Sequence, residues 1–405
     1  MTNSIQVVPA EKCYGCTACL NICPKKAISW TSDEEGFYIP CIDLNKCVDC
    51  GKCQKVCPAL NLEAFETLDR SDSYGVAVQS SNKQDLNKSS SGGMFSLIAA
   101  KIIEEGGVVC GCAWNEMGIA KHIIVEKKEE LDQLRRSKYV QSNLNTVYSE
   151  VKECIDNGKK VVFCGTPCQI AGLHLFLSGI NTENIITISL VCHGVPSPLL
   201  LSEYIKWLEE QSGKKITEIR FRDKDKYGWG HNIALYFSDN SKKQMPSAFD
   251  NYYSCYIEGV LNRKVCYSCP FRSLKYGNDL LIGDYWKAKQ ISKPMDIGSG
   301  LSAVAPMTKK GMELLRSLSD GRLIYQTGCM KLEDLLLQGD SQEEAEAKYA
   351  ERQKMYKCFL SDRISFFKEM LKANPSFYDW IKRMLPSGIR IWLKKTMRAM
   401  LKKDK

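Results

Sequence analysis

Residues 13–24, CYGCTACLNICP, carry four cysteines in the spacing C-x2-C-x2-C-x3-C, and Pro24 follows the last of them. Residues 47–58, CVDCGKCQKVCP, repeat this pattern 34 positions later. Nine of the 20 cysteines fall between Cys13 and Cys57. The spacing lets a tight loop wrap three thiolates around one face of a cubane iron–sulfur cluster, with the fourth ligand supplied from elsewhere.

The two runs predict two [4Fe–4S] clusters with exchanged fourth ligands, because in two-cluster ferredoxins the fourth cysteine of each run binds the other cluster. The first set is Cys13, Cys16, Cys19 and Cys57, and the second set is Cys23, Cys47, Cys50 and Cys53. Zinc sites are the alternative, since C-x2-C also suits zinc. Zinc binding does not explain, however, why the whole C-x2-C-x2-C-x3-C-P pattern occurs twice. Gly15 and Gly51 allow close backbone approach, and Cys41 fits neither run. Residues 5–61 resemble bacterial-type two-cluster ferredoxins, which predicts electron transfer.

The length of 405 residues predicts two or three domains. A hydrophobic fraction of 44% and a charged fraction of 25% are typical of a soluble globular protein. We find no apolar run of about 18 residues, the length of a spanning helix, and no secretory signal. In a reducing compartment so many cysteines indicate metal ligation or catalysis rather than disulfides, so a cytoplasmic location is expected.

The formal charge of +9 is concentrated at the C-terminus. Residues 382–405 contain nine Lys or Arg and one acidic residue, which gives +8 there and +1 for the rest of the chain. A nearly neutral body argues against a nucleic-acid surface. Residues 389–401 alternate apolar and basic positions, and such a helix with Trp392 is typical of membrane-surface or partner binding. A peripheral contact at the inner face of the membrane is therefore one expectation, and a helix packed on the domain is the other.

Strand and helix patterns alternate after a polar linker that ends near Ser73. We predict strands at 74–79, 108–114, 161–164 and 185–192, and helices at about 94–105, 167–177 and 198–211. This alternation favours an α/β or α+β core with some parallel strands. Three of the helices begin at Ser-Gly-Gly, Thr-Pro or Ser-Pro turns, where free amides and the helix dipole attract anions such as the phosphates of a flavin nucleotide.

Four further cysteines could hold a third cluster: Cys168, Cys192, Cys266 and Cys269. Cys266 and Cys269 form a C-x2-C followed by proline. Cys168 falls in the first turn of its helix, where the dipole is expected to lower the pKa of a thiol. Cys164 competes with Cys168 for the same place, and buried structural cysteines are the alternative for all of them.

Seven short motifs then occur in an order that is similar to the coenzyme F420 hydrogenase/dehydrogenase beta-subunit family. They are Ser91-Gly92-Gly93, Lys138-Tyr139-Val140-Gln141-Ser142, Gly165-Thr166-Pro167-Cys168-Gln169, Cys192-His193-Gly194-Val195-Pro196-Ser197-Pro198, Phe221-Arg222-Asp223-Lys224, Cys266-x-x-Cys269 and Gly283-Asp284-Tyr285-Trp286. The resemblance covers residues 73–318. It implies FAD, a [4Fe–4S] cluster inside the larger domain, and a low-potential partner such as ferredoxin, a larger redox complex or coenzyme F420.

The resemblance implies a site as well as a cofactor. The residues expected to hold the flavin are Ser91, Gly92, Gly93, Lys138, Ser142, Gly165, Thr166 and Gln169. His193 is the candidate proton donor near the flavin, and Lys224, with Arg222, is the candidate cation for an acidic substrate or cofactor. The predicted fold is α+β or α/β, with a ferredoxin domain at 1–62, a mixed α/β flavin and iron–sulfur domain at 73–340, and a helical basic tail at 341–405.

An oxidoreductase fits these features because a flavin exchanges one or two electrons, whereas iron–sulfur clusters carry one at a time. Two alternatives remain at this point: a subunit that only relays electrons within a larger complex, and an iron–sulfur redox sensor. The family's substrates vary, so fold alone does not fix the substrate here.

Overall fold

In a computed structural model, the described parts of the chain are residues 4–65, 74–273, 277–286, 295–318, 323–331, 340–377 and 379–380. The basic helix predicted over residues 389–401, with its membrane or partner contact, lies outside the described residues. No helix within the described ranges is both long and apolar enough to cross a membrane.

The head, which we define as residues 4–65, is a small two-layer unit. An antiparallel hairpin of β1 (Ile28–Ser32) and β2 (Tyr38–Ile42) lies beside two short helices, α1 (Ala18–Ile22) and α2 (Lys52–Lys55). Each helix carries the third cysteine of its run, so the repeat in the sequence becomes a repeat of loop and helix. This is the ferredoxin-like arrangement that the cysteine spacing predicts.

The body, residues 74–380, is built on a nine-stranded mixed sheet and a separate three-stranded sheet. The strands are β3 (Tyr74–Ser80), β4 (Val108–Glu116), β5 (Ile119–Val125), β6 (Ser142–Asn143), β7 (Val161–Gly165), β8 (Ile185–Leu190), β9 (Ile216–Phe221), β10 (Asn232–Phe237), β11 (Lys242–Pro246), β12 (Leu280–Asp284), β13 (Ser302–Pro306) and β14 (Leu323–Lys331). The large sheet has the order β14-β3-β13-β12-β8-β7-β4-β5-β6, and the small antiparallel sheet has the order β11-β10-β9.

Helices cover both faces of the large sheet. Those of the body are α3 (Lys83–Lys88), α4 (Met94–Glu104), α5 (Leu131–Leu134), α6 (Val147–Asp156), α7 (Pro167–Phe176), α8 (Pro198–Ser212), α9 (Asn251–Glu258), α10 (Lys309–Ser317), α11 (Gln342–Ser361) and α12 (Arg363–Ser365). In β7, Val161 and Phe163 pack with α6 and α7, whereas Val162 and Cys164 pack with α4. Side chains that alternate between two covered faces explain why β7 is apolar throughout.

Four neighbouring strands, β4, β7, β8 and β12, run parallel, and antiparallel strands flank them. The predicted mixed α/β class is therefore confirmed. The predicted strand at 185–192 ends two residues early, at Leu190, and Cys192 lies in the loop that follows. Because the carboxyl ends of parallel strands share one edge, the loops after β7, β8 and β12 meet there, where α/β folds bind ligands.

A second core joins the small sheet to the C-terminal helices. In α11, Met355, Tyr356 and Phe359 are buried, and they pack with residues of β9 and β10 and with Phe37 of the head. Residues 342–371 therefore belong to the body, and the domain boundary predicted at 341 does not coincide with a break in packing. The sequence pattern missed this because the apolar positions of α11 are sparse among charged ones.

Candidate functional site

The structure brings the two cysteine sets of the head around two separate small cavities. The first set lines a cavity together with Ile5, Trp30 and Pro40. The second set lines a cavity together with Ile28, Ile42 and Val48. Within the described residues no three His, Cys, Asp or Glu side chains converge as a single metal ion requires. Four thiols spread around a cavity fit the corner irons of a cubane.

The two cysteine loops have the same backbone, including two left-handed residues each. In the first loop these are Gly15 (φ 68°) and Thr17 (φ 62°), and in the second they are Asp49 (φ 52°) and Gly51 (φ 72°). The left-handed residues stand at the same two places after the first cysteine of each run. Glycine fills only one of these places per loop, and a different one each time, so conformation rather than identity is repeated.

A third set of four cysteines surrounds one end of a much larger cavity. This third set is Cys168, Cys192, Cys266 and Cys269, and all four line the cavity. Cys168 lies at the start of α7, Cys192 follows β8, and the other two lie in or directly after the short helical segment Lys264–Ser268. Cys164 lines the same cavity, but the thiol that acts on its pKa is Cys112, whereas the thiol that acts on the pKa of Cys168 is Cys266 of the third set.

The thiols of the third set do not have the lowered pKa that the helix dipole predicts for Cys168. Burial and the neighbouring Cys266 raise the pKa of Cys168 to about 11, although the Thr166 hydroxyl, 3.3 Å from its sulfur, acts in the opposite direction. Burial likewise raises the pKa of Cys192 to about 12. Desolvation outweighs the dipole here, and four such thiols become thiolates together only when a cationic centre binds them.

The large cavity, of about 320 Å³, lies at the carboxyl edge of the parallel strands. Seven of the eight residues predicted to hold the cofactor line it: Ser91, Gly93, Lys138, Ser142, Gly165, Thr166 and Gln169. His193 lines it as well. The size is at the lower end of the range for small-molecule and cofactor sites.

Gly92 and Lys224 are not among the lining residues and instead support the Ser-Gly-Gly turn. A Cβ on Gly92 would lie 2.3 Å from the Val78 carbonyl oxygen, so the turn is wedged against β3. Lys224 Nζ donates to the carbonyls of Leu86, Ser91 and Ser299 at 2.7–2.8 Å. With all its hydrogens so used, Lys224 fixes the turn rather than offering a cation to a substrate, which corrects its predicted catalytic role.

Lys138, the other predicted cofactor-binding lysine, is also committed to carbonyls. Its Nζ donates to Gln133, Arg135 and Arg136 at 3.0, 2.7 and 3.4 Å, and burial lowers its pKa to about 8. It thereby shapes the Arg135–Arg136 segment at the cavity wall. Any contact with a cofactor would come through its methylenes or through this segment.

A hydrogen-bonded chain forms the floor of the cavity. Gln169 Oε1 accepts from the Thr166 amide at 2.9 Å, as in a capping box, and Gln169 Nε2 donates to Ser142 Oγ at 3.1 Å. Ser142 Oγ also lies 3.0 Å from Nδ1 of His122, whose pKa burial lowers to about 4. The chain continues from His122 Nε2 to the Cys164 carbonyl oxygen at 3.2 Å. His122 was not predicted, because an isolated histidine within a strand gives no signal.

His193 lines the cavity, but its unpaired ring nitrogen points elsewhere. Its Nε2 is buried without a partner and lies beside Gly259, directly after α9, and burial lowers the pKa of the ring below the usual histidine value. Its ring meets Tyr256 edge-on at 5.7 Å. The unpaired nitrogen therefore faces the end of α9, and the ring itself forms part of the cavity wall.

Arg222 is already paired, so it is not free for the acidic substrate that the sequence suggested. Its guanidinium binds Asp284 through both nitrogens at 2.6 and 2.9 Å. Trp229 Nε1 donates to the same carboxylate at 3.2 Å and stacks on Trp286 at 4.8 Å. The motifs around 221 and 283 thus form one buried ion pair at the cavity edge.

The head contacts the body near the third set, and the part of the head that makes this contact is the first cysteine loop. Tyr14, between two cysteines of the first set, packs edge-on against Phe271 at 5.1 Å and lines the large cavity. A Cβ on Gly172 of α7 would lie 2.8 Å from Cys16 Sγ, so only glycine lets the helix approach. The helix that starts at Cys168 therefore lies directly on the first set.

The two four-cysteine sets of the ferredoxin-like head define an iron–sulfur protein of electron transfer. The comparisons with known proteins agree. Residues 12–61, and an overlapping stretch at 39–101, match models of a 4Fe-4S dicluster domain. Residues 158–328 match the family model for the C terminus of the coenzyme F420 hydrogenase/dehydrogenase beta subunit. These matches confirm the resemblance found in the sequence, in residues 158–328 for the beta-subunit family and in residues 12–61 for the dicluster head.

Two individual proteins show partial likeness. An uncharacterized ferredoxin of Methanocaldococcus jannaschii is 50% identical over 32 residues, which are 8% of this chain and 42% of that protein. A chain from the F420-reducing [NiFe] hydrogenase complex of Methanosarcina barkeri, solved after xenon derivatization, matches with a TM-score of 0.45 and 18% identity, over 75% of this chain and 96% of that one.

Proposed function

We propose that the chain is an iron–sulfur flavoprotein oxidoreductase. In this proposal electrons pass between the second set, the first set and the third set, each holding a [4Fe–4S] cluster, and an FAD in the large cavity. The observation that carries the proposal is the spatial order of the cysteines. The second set is at the surface, the first lies against α7, and the third opens into the cavity that the family motifs line.

The walls of the cavity fit a phosphate-bearing cofactor. Gly93 (φ 88°) precedes the 11-residue helix α4, whose first residues line the cavity and point unpaired amides away from the helix. Arg135 lines the same part of the cavity, where its Nε donates to Ser96 of α4 at 3.2 Å and its guanidinium pairs with Asp85 at 2.6 Å. The amides at the start of α4 would hold the pyrophosphate, and the end of the cavity near Cys192 and His193 would hold the ring system.

When bound, FAD supplies the exchange between one-electron and two-electron chemistry. The protein's own contribution is to hold the ring end beside the third set and to keep a proton available. His193 is the candidate for that task because it lines the cavity and burial favours its neutral ring. The substrate would be coenzyme F420 or another reducible compound, and the electron partner would be ferredoxin or a larger redox complex.

Iron, acid-labile sulfide and extracted flavin per chain, measured on protein purified without oxygen, test this function. We expect about twelve iron and about one flavin, from four irons per cubane. Cys266→Ser should reduce iron to about eight, whereas Cys154→Ser, a half-buried cysteine of α6 outside all three sets, should leave it unchanged. About eight iron and no flavin in the wild-type protein would reject the enzyme and leave a relay subunit or a sensor.

A further inference from the structure

Arg263 is a buried cation without a counter-ion. It is only 3% exposed, and none of the carboxylates in the described part of the chain lies within ion-pair distance of it. Its Nε donates to the Cys13 carbonyl at 2.7 Å and its Nη1 to the Tyr38 carbonyl at 2.9 Å. Its Nη2 has no partner. An arginine keeps its charge in proteins, and a buried charge is costly unless an opposite charge faces it.

The surroundings of Arg263 indicate where that opposite charge belongs. Arg263 lines the large cavity together with Cys168 and Cys266, and its carbonyl accepts from the Cys266 amide at 2.9 Å. On its other side it holds the backbone of Cys13, a member of the first set. Arg263 is therefore located between the first set and the third set, on the path that electrons would take.

Other charged groups near Arg263 do not replace this missing anion. Asp33 lies outside ion-pair distance of the guanidinium, and its carboxylate accepts from the Phe37 amide at 2.8 Å. Glu35 of the head is bound by Arg352. Arg272 lines the same end of the cavity and donates to the Cys266 carbonyl at 3.4 Å. Of these two cavity-lining arginines, Arg263 is the one that also binds the backbone of the first loop.

A neutral donor stands next to Arg263 at the same junction. Gln141 is 3% exposed, its Oε1 accepts from the Tyr38 amide at 3.1 Å, and its Nε2 is buried without a partner. Its Nε2 lies beside Gly15 of the first loop, where a Cβ would approach to 2.2 Å. Two buried donors with open N–H groups at one place indicate an acceptor that they were built to meet.

We propose that Arg263 is the residue that sets the reduction potential of the third cluster and ties it to the first. The inference rests on the proposed function. Its Nε holds the backbone of the first loop, its Nη1 holds β2, and its free Nη2 would be available to a cluster bound by the third set. Transfer of one electron between the two sites would oxidise the first cluster and add negative charge to the third. The fixed guanidinium would stabilise that charge and so favour the transfer.

Redox titration of each cluster by electron paramagnetic resonance, on the full chain with its cofactors, tests the role. Arg263→Gln should lower the equilibrium constant for reduction of the third cluster at least tenfold, which is about 59 mV for each factor of ten in a one-electron couple. Arg263→Lys keeps the positive charge but loses the planar set of guanidinium N–H donors. It should shift the reduction potential of the third cluster by less than half as much as Arg263→Gln. The second cluster is the internal control and should not move.

Three outcomes would overturn the role of Arg263. The potential of the third cluster could stay fixed in both variants, all three clusters could shift together, or Arg263→Lys could shift as far as Arg263→Gln. Iron content separates this failure from that of the proposed function. About twelve iron with an unmoved potential rejects only the role of Arg263, whereas about eight iron in the wild-type protein rejects the three-cluster function itself.

Discussion

The two cysteine sets of the head share one motif and one backbone but differ in their surroundings. In the first set, Cys16 is 9% exposed and lies against α7. In the second set, Cys50 is exposed, and the neighbouring Val48 is 57% exposed. The difference gives the head an inner and an outer end. The outer end is the more exposed of the two, and the inner end adjoins the large cavity through Tyr14.

The cause of the difference lies in the residues between the cysteines. Tyr14 and Val48 hold equivalent places in the two runs, but Tyr14 packs against Phe271 of the body. The aromatic ring of Tyr14 anchors the first loop to the body, whereas Val48 of the second loop stays exposed to solvent. A repeated ligand motif therefore fixes the cluster type, and its variable positions fix which cluster faces the body.

The largest effect should come from filling the space between α7 and the first set. Gly172→Ala places a methyl group 2.8 Å from Cys16 Sγ, closer than the two atoms can stand. We expect loss of the first cluster, seen as a fall of about four iron per chain, with the second cluster intact. Gly277→Ala, whose Cβ has no neighbour nearer than 3.9 Å, is the control. Full iron in Gly172→Ala would mean that the inner end is not tightly fitted.

A smaller effect is expected from the buried ion pair that attaches the inner end. Arg352, 1% exposed, binds both oxygens of Glu35 in the head, and its Nε donates to the Asn262 carbonyl at 3.0 Å. Arg352→Met should lower the free energy of unfolding by about 3 kcal/mol, the lower end of the range for breaking a buried pair, because Lys264 still lies 3.4 Å from Glu35. Denaturant titration measures it.

The control is an exposed ion pair, and low pH should destabilise the wild-type protein in the same way as Arg352→Met. Lys309→Met breaks the exposed pair with Glu313 and should cost less than about 1 kcal/mol. Arg352 lowers the pKa of Glu35, so the pair contributes fully above the ordinary glutamate pKa of about 4.3 and is lost as the pH falls below it. Equal losses for Arg352→Met and Lys309→Met would contradict a fixed inner end.

The smallest effect concerns the outer end and its lysines. Lys25 and Lys52 are exposed and line the cavity of the second set together with Val48. Reversing both charges (Lys25→Glu with Lys52→Glu) should slow reduction by an acidic two-cluster ferredoxin about tenfold at low salt, because steering is electrostatic. Stopped-flow bleaching of the clusters measures the rate. Lys309→Glu, far from the head, should not change it.

A small neutral reductant provides the second control for the outer end. Reduction by photoreduced 5-deazariboflavin should be equally fast in the wild-type protein and the double variant. If the ferredoxin rate is independent of both the variant and the salt concentration, electrons do not enter at the lysine-bearing end of the head.

Much of the fold could be predicted from the sequence because its signals are local. The cysteine repeat predicts the head, and the Thr-Pro and Ser-Pro turns predict where α7 and α8 begin. The side chain of Ser197 accepts from the Leu200 amide at 3.3 Å, as a helix cap should. Buried apolar runs predict β4, β7 and β8 to within two residues at each end.

The parts that were not predicted depend on contacts between distant residues. Arg263 pairs with the Cys13 carbonyl across 250 positions, and Arg352 pairs with Glu35 across 317. Neither arginine differs in local sequence from an exposed one. Lys224 and Cys168 were singled out from the sequence, but burial changes what each side chain does. Buried carbonyls accept the hydrogen bonds of the Lys224 ammonium, and burial together with a neighbouring thiol raises the pKa of Cys168.

We infer that electrons reach the large cavity only through the third set. The rate of flavin reduction in the Cys266→Ser variant tests this path. Stopped-flow mixing with a reduced ferredoxin follows cluster and flavin absorbance separately. We predict that the two head clusters of Cys266→Ser bleach at the wild-type rate while its bound flavin stays oxidised over the same time. Flavin reduction at the wild-type rate in this variant would contradict the account.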